Sequence, residues 1–119
     1  MSSIFTKIIN SELPCHKIAE TRNCFAFLDI NPNVIGHTLC VPKKEVDLIF
    51  DLDPKLYTER MDFSRTIAIA IKKAISCERV SLTVVGLEVA HAHVHLIPLN
   101  SMEDLNFSRK KKLVDKDFI

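Results

Sequence analysis

Near its C-terminal end the chain carries His91-Ala92-His93-Val94-His95, followed by Leu96 and Ile97. Side chains alternate between the faces of a strand, so this spacing puts His91, His93 and His95 on one side and Ala92, Val94 and Leu96 on the other. At roughly 3.3 Å per residue, the outer two rings stand about 13 Å apart. An imidazole titrates near neutral pH, so one ring of such a row can attack as a neutral nucleophile while its neighbours donate hydrogen bonds to an anion. That division of labour suits attack on phosphorus, and His93, with a donor on either side, is the natural nucleophile. Its second ring nitrogen then needs an acceptor, most simply a backbone carbonyl, to fix the tautomer. Two other uses compete. Histidines two apart on a strand can chelate zinc, and a row of rings can be bonded into a polar core. A zinc site wants a further ligand, and Cys15, Cys24, Cys40 and Cys77 have no ligand-like spacing to supply it.

The rest of the chain must position this row. Its 119 residues, 47% hydrophobic and 26% charged with only two glycines, suffice for one ordered core. A net charge of +1 argues against binding nucleic acid by phosphate neutralisation. No apolar run approaches a membrane span, and Met1-Ser2-Ser3-Ile4-Phe5 lacks a signal-peptide core. The scattered cysteines form no CxxC and read as small buried thiols, so a reduced, cytoplasmic protein is expected.

Apolar residues at helical spacing predict a short helix over 4–9, broken before Pro14. Strands are expected at 18–20, 24–28 and 38–41, the second closed by the turn-rich Asp29-Ile30-Asn31-Pro32-Asn33. Lys43-Lys44-Glu45 reads as a solvated turn. Asp53-Pro54 is a helix start, an acid at the N-cap and proline at the first position, and the helix can run to about Ser76. Leu56, Phe63, Ile67, Ile71 and Ala74 form its apolar stripe. The stretch 66–71 is apolar almost all round, which points to burial on a second side, a subunit interface or a deeper core. Strands over 80–85 and 91–98 follow, linked by a hairpin through Gly86 to Ala90, and a polar, basic tail occupies about 101–119. The order predicts a single α+β domain over 1–119. It has an antiparallel sheet of about five strands, one long helix and a short N-terminal helix.

His91-Ala92-His93-Val94-His95-Leu96-Ile97 resembles the H-φ-H-φ-H-φ-φ signature of the histidine-triad (HIT) superfamily of nucleotide hydrolases and transferases. The resemblance runs through nearly the whole chain. Residues 3–9 are similar to the family's N-terminal segment, Phe25-Ala26-Phe27-Leu28-Asp29-Ile30-Asn31-Pro32 to its nucleoside-binding strand and turn, and Gly36-His37-Thr38-Leu39-Cys40-Val41-Pro42-Lys43-Lys44 to its GHxLVxPKxH stretch. It is nearest the Hint branch, homodimeric adenosine phosphoramidate hydrolases.

The resemblance implies a HIT-like fold and a homodimer built through the long helix. The implied ligand is a purine nucleotide or nucleoside phosphoramidate, cleaved to the monophosphate with no cofactor. His93 would form a nucleotidyl-histidine intermediate through Nε2, His95 and His37 would contact the α-phosphate, and His91 would support the row. Asp29 would accept hydrogen bonds from the ribose, although an aspartate before Asn31-Pro32 is also a natural turn former. Ile4, Phe5, Ile8, Phe27 and Ile30 would form the base slot, with Gly86, Glu88 and Val89 near the phosphate. Two departures stand out. Where many bacterial relatives carry a structural zinc, Ser3 and Thr6 occupy the cysteine places and Glu45 the histidine place, so no metal is expected. The usual Asn-x-Gly…Gly-Gln-Ser-Val lead-in is reduced to Val85-Gly86-Leu87-Glu88-Val89-Ala90, and the Glu88 carboxylate would repel an anionic leaving group or bind an amine one. A nucleotide-binding regulatory protein with little turnover, a dinucleoside-polyphosphate hydrolase, a nucleotidyltransferase and a metalloprotein using the triad as ligands are the alternatives.

Overall fold

The computed structural model describes residues 3–108. Helix α1 (Ile4–Ile9) is followed by strands β1 (Lys17–Glu20), β2 (Cys24–Leu28) and β3 (Thr38–Pro42), helix α2 (Pro54–Ala74), and strands β4 (Arg79–Thr83) and β5 (Val94–Leu99). The five strands form one antiparallel sheet in the order β1-β2-β3-β5-β4, so the excursion through α2 and β4 returns β5 to the side of β3.

That return makes β2, β3 and β5 interior strands covered on both faces, which is why their residues are buried almost without alternation. Ala26, Cys40, Ala92, Val94 and Leu96 face Ile67 and Ile71 of α2. Phe25, Phe27, Leu39 and Val41 face Phe5 of α1. The alternation read from the sequence therefore holds for Ala92, Val94 and Leu96, which lie under the helix.

Helix α2 begins as expected, with Asp53 Oδ1 accepting from the Leu56 N–H at 2.9 Å. Its fully buried face is Arg60, Ser64, Ile67 and Ile71; Leu56 and Phe63 of the expected stripe pack partly buried against the same core, and Ala74 is exposed. The outer side keeps Ile69 49% exposed. All four cysteines are free thiols, Cys24 and Cys40 fully buried, and burial pushes Cys40 up to about 12. Among the described residues, no helix is long and apolar enough to cross a membrane.

The C-terminal hairpin differs from expectation. Pairing of β4 with β5 stops at Thr83 opposite His95, and the link runs from residue 84 to residue 93 rather than through a tight turn. The backbone at 92 has left β4: the Ala92 N–H donates to Val46 O at 2.6 Å, on the connection between β3 and α2. Consequently His91 and His93 precede β5 instead of lying within it. Residues after 100 are not loose as far as they are described. A 3-10 turn at Met102–Leu105 is held by a Ser101/Asp104 capping box, and Asn33 Nδ2 donates to Asp104 O at 3.0 Å. The basic run at 109–112 lies outside the described residues.

Candidate active site

The start of β5 is where the site is built. His93 is 5% exposed and its Nδ1 lies 2.7 Å from His91 O. A carbonyl can only accept, so Nδ1 carries the proton and the Nε2 lone pair is left for chemistry. Burial pushes His93 below its ordinary value, the bond to the His91 carbonyl opposes this, and the Arg60 charge adds to the lowering. The ring is thus neutral near pH 7, the form able to attack.

The neighbouring rings form a second proton-ordered chain. The loop from Asp29 to His37 closes on itself, with the Asp29 N–H donating to His37 O at 3.0 Å. Gly36, at φ +94°, makes the turn that feeds His37 into β3; a Cβ there would stand 3.1 Å from Ile75 and 3.2 Å from Pro98. The Asn33 N–H donates to His37 Nδ1 at 2.9 Å, so in the neutral ring the proton is on Nε2. That Nε2 stands 2.9 Å from His95 Nδ1. Donating across this contact makes His95 Nδ1 the acceptor and leaves His95 with an Nε2–H donor beside His93. The rings of His93 and His95 lie 4.9 Å apart, edge to face.

These groups open on a cavity of about 440 Å³. His93 and His95 line it together with Ile4, Phe5, Asp29, Gly86, Glu88 and Val89, all expected site residues. Asp29 is a turn former, with Oδ1 accepting from the Asn31 N–H at 2.9 Å, and it lies on the cavity wall with Oδ2 3.6 Å from His37 Nε2.

Five expected site residues fall elsewhere. His91 is fully buried behind His93, with Nε2 at 2.7 Å from Pro42 O and Nδ1 at 2.7 Å from Ser3 Oγ; the row presents two rings to the cavity, not three. His37 acts from behind His95. Phe27 supports Phe5 from below, with centroids 5.6 Å apart, and Ile8 packs into the same cluster. Ile30 is 64% exposed and absent from the cavity wall, because the turn at Asp29 aims it outward.

Sequence reasoning missed Phe107, whose ring sits edge-on 4.9 Å from that of His95 and 6.1 Å from that of His37. The readable signal was Ser101-x-x-Asp104, a capping box that folds the chain back toward the site. Leu39, Val85, Leu87, Asn31 and Ser108 complete the wall.

The zinc place implied by the family resemblance does not fit a zinc ion. Ser3 and Thr6 offer neutral hydroxyls rather than thiolates or imidazoles. They are engaged with their neighbours, Ser3 Oγ with His91 Nδ1 and Thr6 Oγ1 with Glu45 at 2.7 Å. Asp29, His37 and His95 bring one donor atom each within 4.8 Å of one another, the spacing at which a cation could be held, but His37 Nε2 and His95 Nδ1 already face each other across a hydrogen bond.

A buried imidazole with a fixed tautomer, a second imidazole donating beside it, and a carboxylate across an apolar slot together describe a histidine-triad site. The chain belongs to the HIT domain family, whose profile matches residues 10–102. It is 36% identical over 117 residues to an uncharacterized HIT-like protein of Borreliella burgdorferi, covering 92% of this chain and 84% of that one. It is 38% identical over 96 residues to adenosine 5'-monophosphoramidase HNT1 of Saccharomyces cerevisiae, covering 80% of this chain and 61% of that protein. The crystal structure of a HIT family protein from Bacillus anthracis superposes with a TM-score of 0.80 at 34% identity, covering 92% of this chain and 81% of that one.

Proposed function

We propose that this protein hydrolyses nucleoside 5′-phosphoramidates or related nucleotidyl compounds to the monophosphate, through a covalent intermediate on His93. The observation that carries the reading is the 2.7 Å contact from His93 Nδ1 to the His91 carbonyl, which leaves Nε2 unprotonated on a ring that lines the cavity. Likeness to a relative named as an adenosine monophosphoramidase supports the substrate class.

In this mechanism Nε2 bonds to the α-phosphorus as the bond to the leaving nitrogen breaks, and the departing amine takes up a proton from solvent, which the attacking water of the second step returns. Water then attacks the same phosphorus, the His93–phosphorus bond breaks, and the nucleoside monophosphate leaves. The His95 Nε2–H donates to a phosphate oxygen through both steps, and His37 holds His95 in the donating tautomer. Asp29 takes the ribose hydroxyls, and Ile4 and Phe5 cover a purine base. A homodimer through the outer face of α2 and β4 is part of the same proposal, supported by the exposed Ile69 and the shallow groove it shares with Ala68, Arg79 and Val80.

One observation favours a second reading, a nucleotide-binding regulator with little turnover: Glu88 lies on the cavity wall, where its negative charge opposes a phosphate. Both are tested by assaying adenosine 5'-phosphoramidate turnover in wild-type and His93→Ala protein. We expect loss of several orders of magnitude, as deletion of a covalent nucleophile produces. Unchanged activity refutes the mechanism, and tight monophosphate binding without wild-type turnover selects the regulator.

A further inference from the structure

Three polar side chains, Ser3, Thr6 and Glu45, form a hydrogen-bonded cluster with His91. The Glu45 carboxylate accepts from the Ser3 N–H at 2.6 Å and from the Thr6 hydroxyl at 2.7 Å. Ser3 Oγ accepts from the Thr6 N–H at 3.1 Å and meets His91 Nδ1 at 2.7 Å. His91 Nε2 meets Pro42 O at 2.7 Å.

The protons in this cluster can be assigned by elimination. Pro42 O can only accept, so His91 Nε2 carries the ring proton. In the neutral ring Nδ1 is then an acceptor. The Thr6 hydroxyl stands 2.7 Å from the Glu45 carboxylate, a charge-assisted bond, and only 3.5 Å from Nδ1, while the Ser3 hydroxyl has Nδ1 at 2.7 Å and Thr6 Oγ1 at 3.3 Å, so the shorter contact assigns the Ser3 proton to Nδ1. Glu45 Oε1 takes two of these bonds, and the His91 ring is fixed at both nitrogens. The carbonyl of this same residue accepts from His93 Nδ1.

We propose that Ser3, held by Thr6 and Glu45, is a positioning residue for the reaction: by donating to His91 Nδ1 it locks the His91 backbone whose carbonyl orients the His93 nucleophile. The inference rests on the proposed role of His93. It also explains the path of the backbone. α1 is anchored at its first turn to a histidine 88 residues away, and this brings Phe5 against His91 and His93, with centroids 5.8 and 4.9 Å apart. The charged groups felt by His91 are the Glu45 carboxylate, from the connection after β3, and the Arg60 guanidinium, from α2.

The test uses the full chain and compares wild type with Ser3→Ala, Ser3→Thr and His93→Ala on adenosine 5'-phosphoramidate. Losing a donor to a buried ring nitrogen is expected to lower kcat about tenfold, with KM little changed. The acid limb of kcat moves to higher pH, because the exposed Nδ1 lone pair is then satisfied by a proton. Ser3→Thr, which keeps the hydroxyl, restores both. If Ser3→Ala lowers Tm but leaves kcat and the acid limb at wild-type values, Ser3 only caps α1 and the proposal is wrong. Turnover surviving in His93→Ala overturns the underlying mechanism instead. Ring nitrogen NMR of the wild-type protein reads the assignment without any variant: His91 must be protonated on Nε2 and His93 on Nδ1, and the opposite tautomer at His91 overturns the proposal.

Discussion

Replacing Arg60 by methionine is expected to make the protein more stable and, at the same time, less active in acid. Arg60 is 0% exposed on the inner face of α2, and its Nε, Nη1 and Nη2 find no hydrogen-bond partner among the described residues. A buried cation loses its hydration, and among the described residues no carboxylate bonds to it; burial accordingly pushes it below its ordinary value. Even complete buried ion pairs are often improved by apolar replacements, by about 1–4 kcal/mol. Methionine keeps most of the unbranched stem and removes the charge, so about 1–3 kcal/mol of stabilisation is expected. At about 4–8 °C per kcal/mol for a domain near this size, Tm rises by about 5–20 °C. The second readout comes from the site. Burial is the main cause of the lowering of His93, but the Arg60 charge contributes to it, so without that charge His93 takes up its proton at higher pH. Thermal unfolding and the pH profile of kcat/KM measure the two effects. A Tm lowered by more than a few degrees would refute the reasoning, because it would mean that the guanidinium is well solvated or paired in solution.

Wild-type kcat/KM should hold as the pH is lowered to 6.5 and fall only below it, since burial keeps the His93 ring neutral; an acid limb at or above 6.5 contradicts this. The same depression at His91 and His93 means that the unfolded chain binds their protons first. Their stabilisation is complete above pH 6.5 and is lost as pH drops through their folded values. Glu45, held down to about 2 chiefly by the Ser3 N–H, adds a further loss that sets in below its ordinary 4.5, measurable by urea unfolding across that range. Glu88→Gln should improve phosphate over amine leaving groups by about two- to fivefold, the scale of an exposed charge interaction; equal effects across a leaving-group panel would place Glu88 outside recognition. Phe107→Ala removes an edge-on contact with His95 at 4.9 Å and should cost about two- to tenfold in kcat/KM, read by steady-state kinetics, with no change expected if the ring merely covers the site. Sedimentation equilibrium should give a dimer for wild type and a monomer for Ile69→Glu; a monomeric wild type removes the α2 interface.

The sequence alone determined the chemistry available and the local elements. Three imidazoles two residues apart, the Asp53-Pro54 helix start and the apolar runs of β2 and β3 are short-range signals, since backbone geometry dictates which neighbours share a face or a turn. What each imidazole does was decided by residues distant in the chain. Pro42 and Ser3 assign the two nitrogens of His91, Asn33 assigns His37, and His37 assigns His95. The bond from Ala92 to Val46 pulls the first two histidines off the strand, and so turns an expected hairpin into a long cavity wall. The fold around Asn33 and Asp104 brings Phe107 onto His95. Spacing fixes where a ring is attached, but its protonated nitrogen depends on the partner facing it, and only the folded chain supplies that partner.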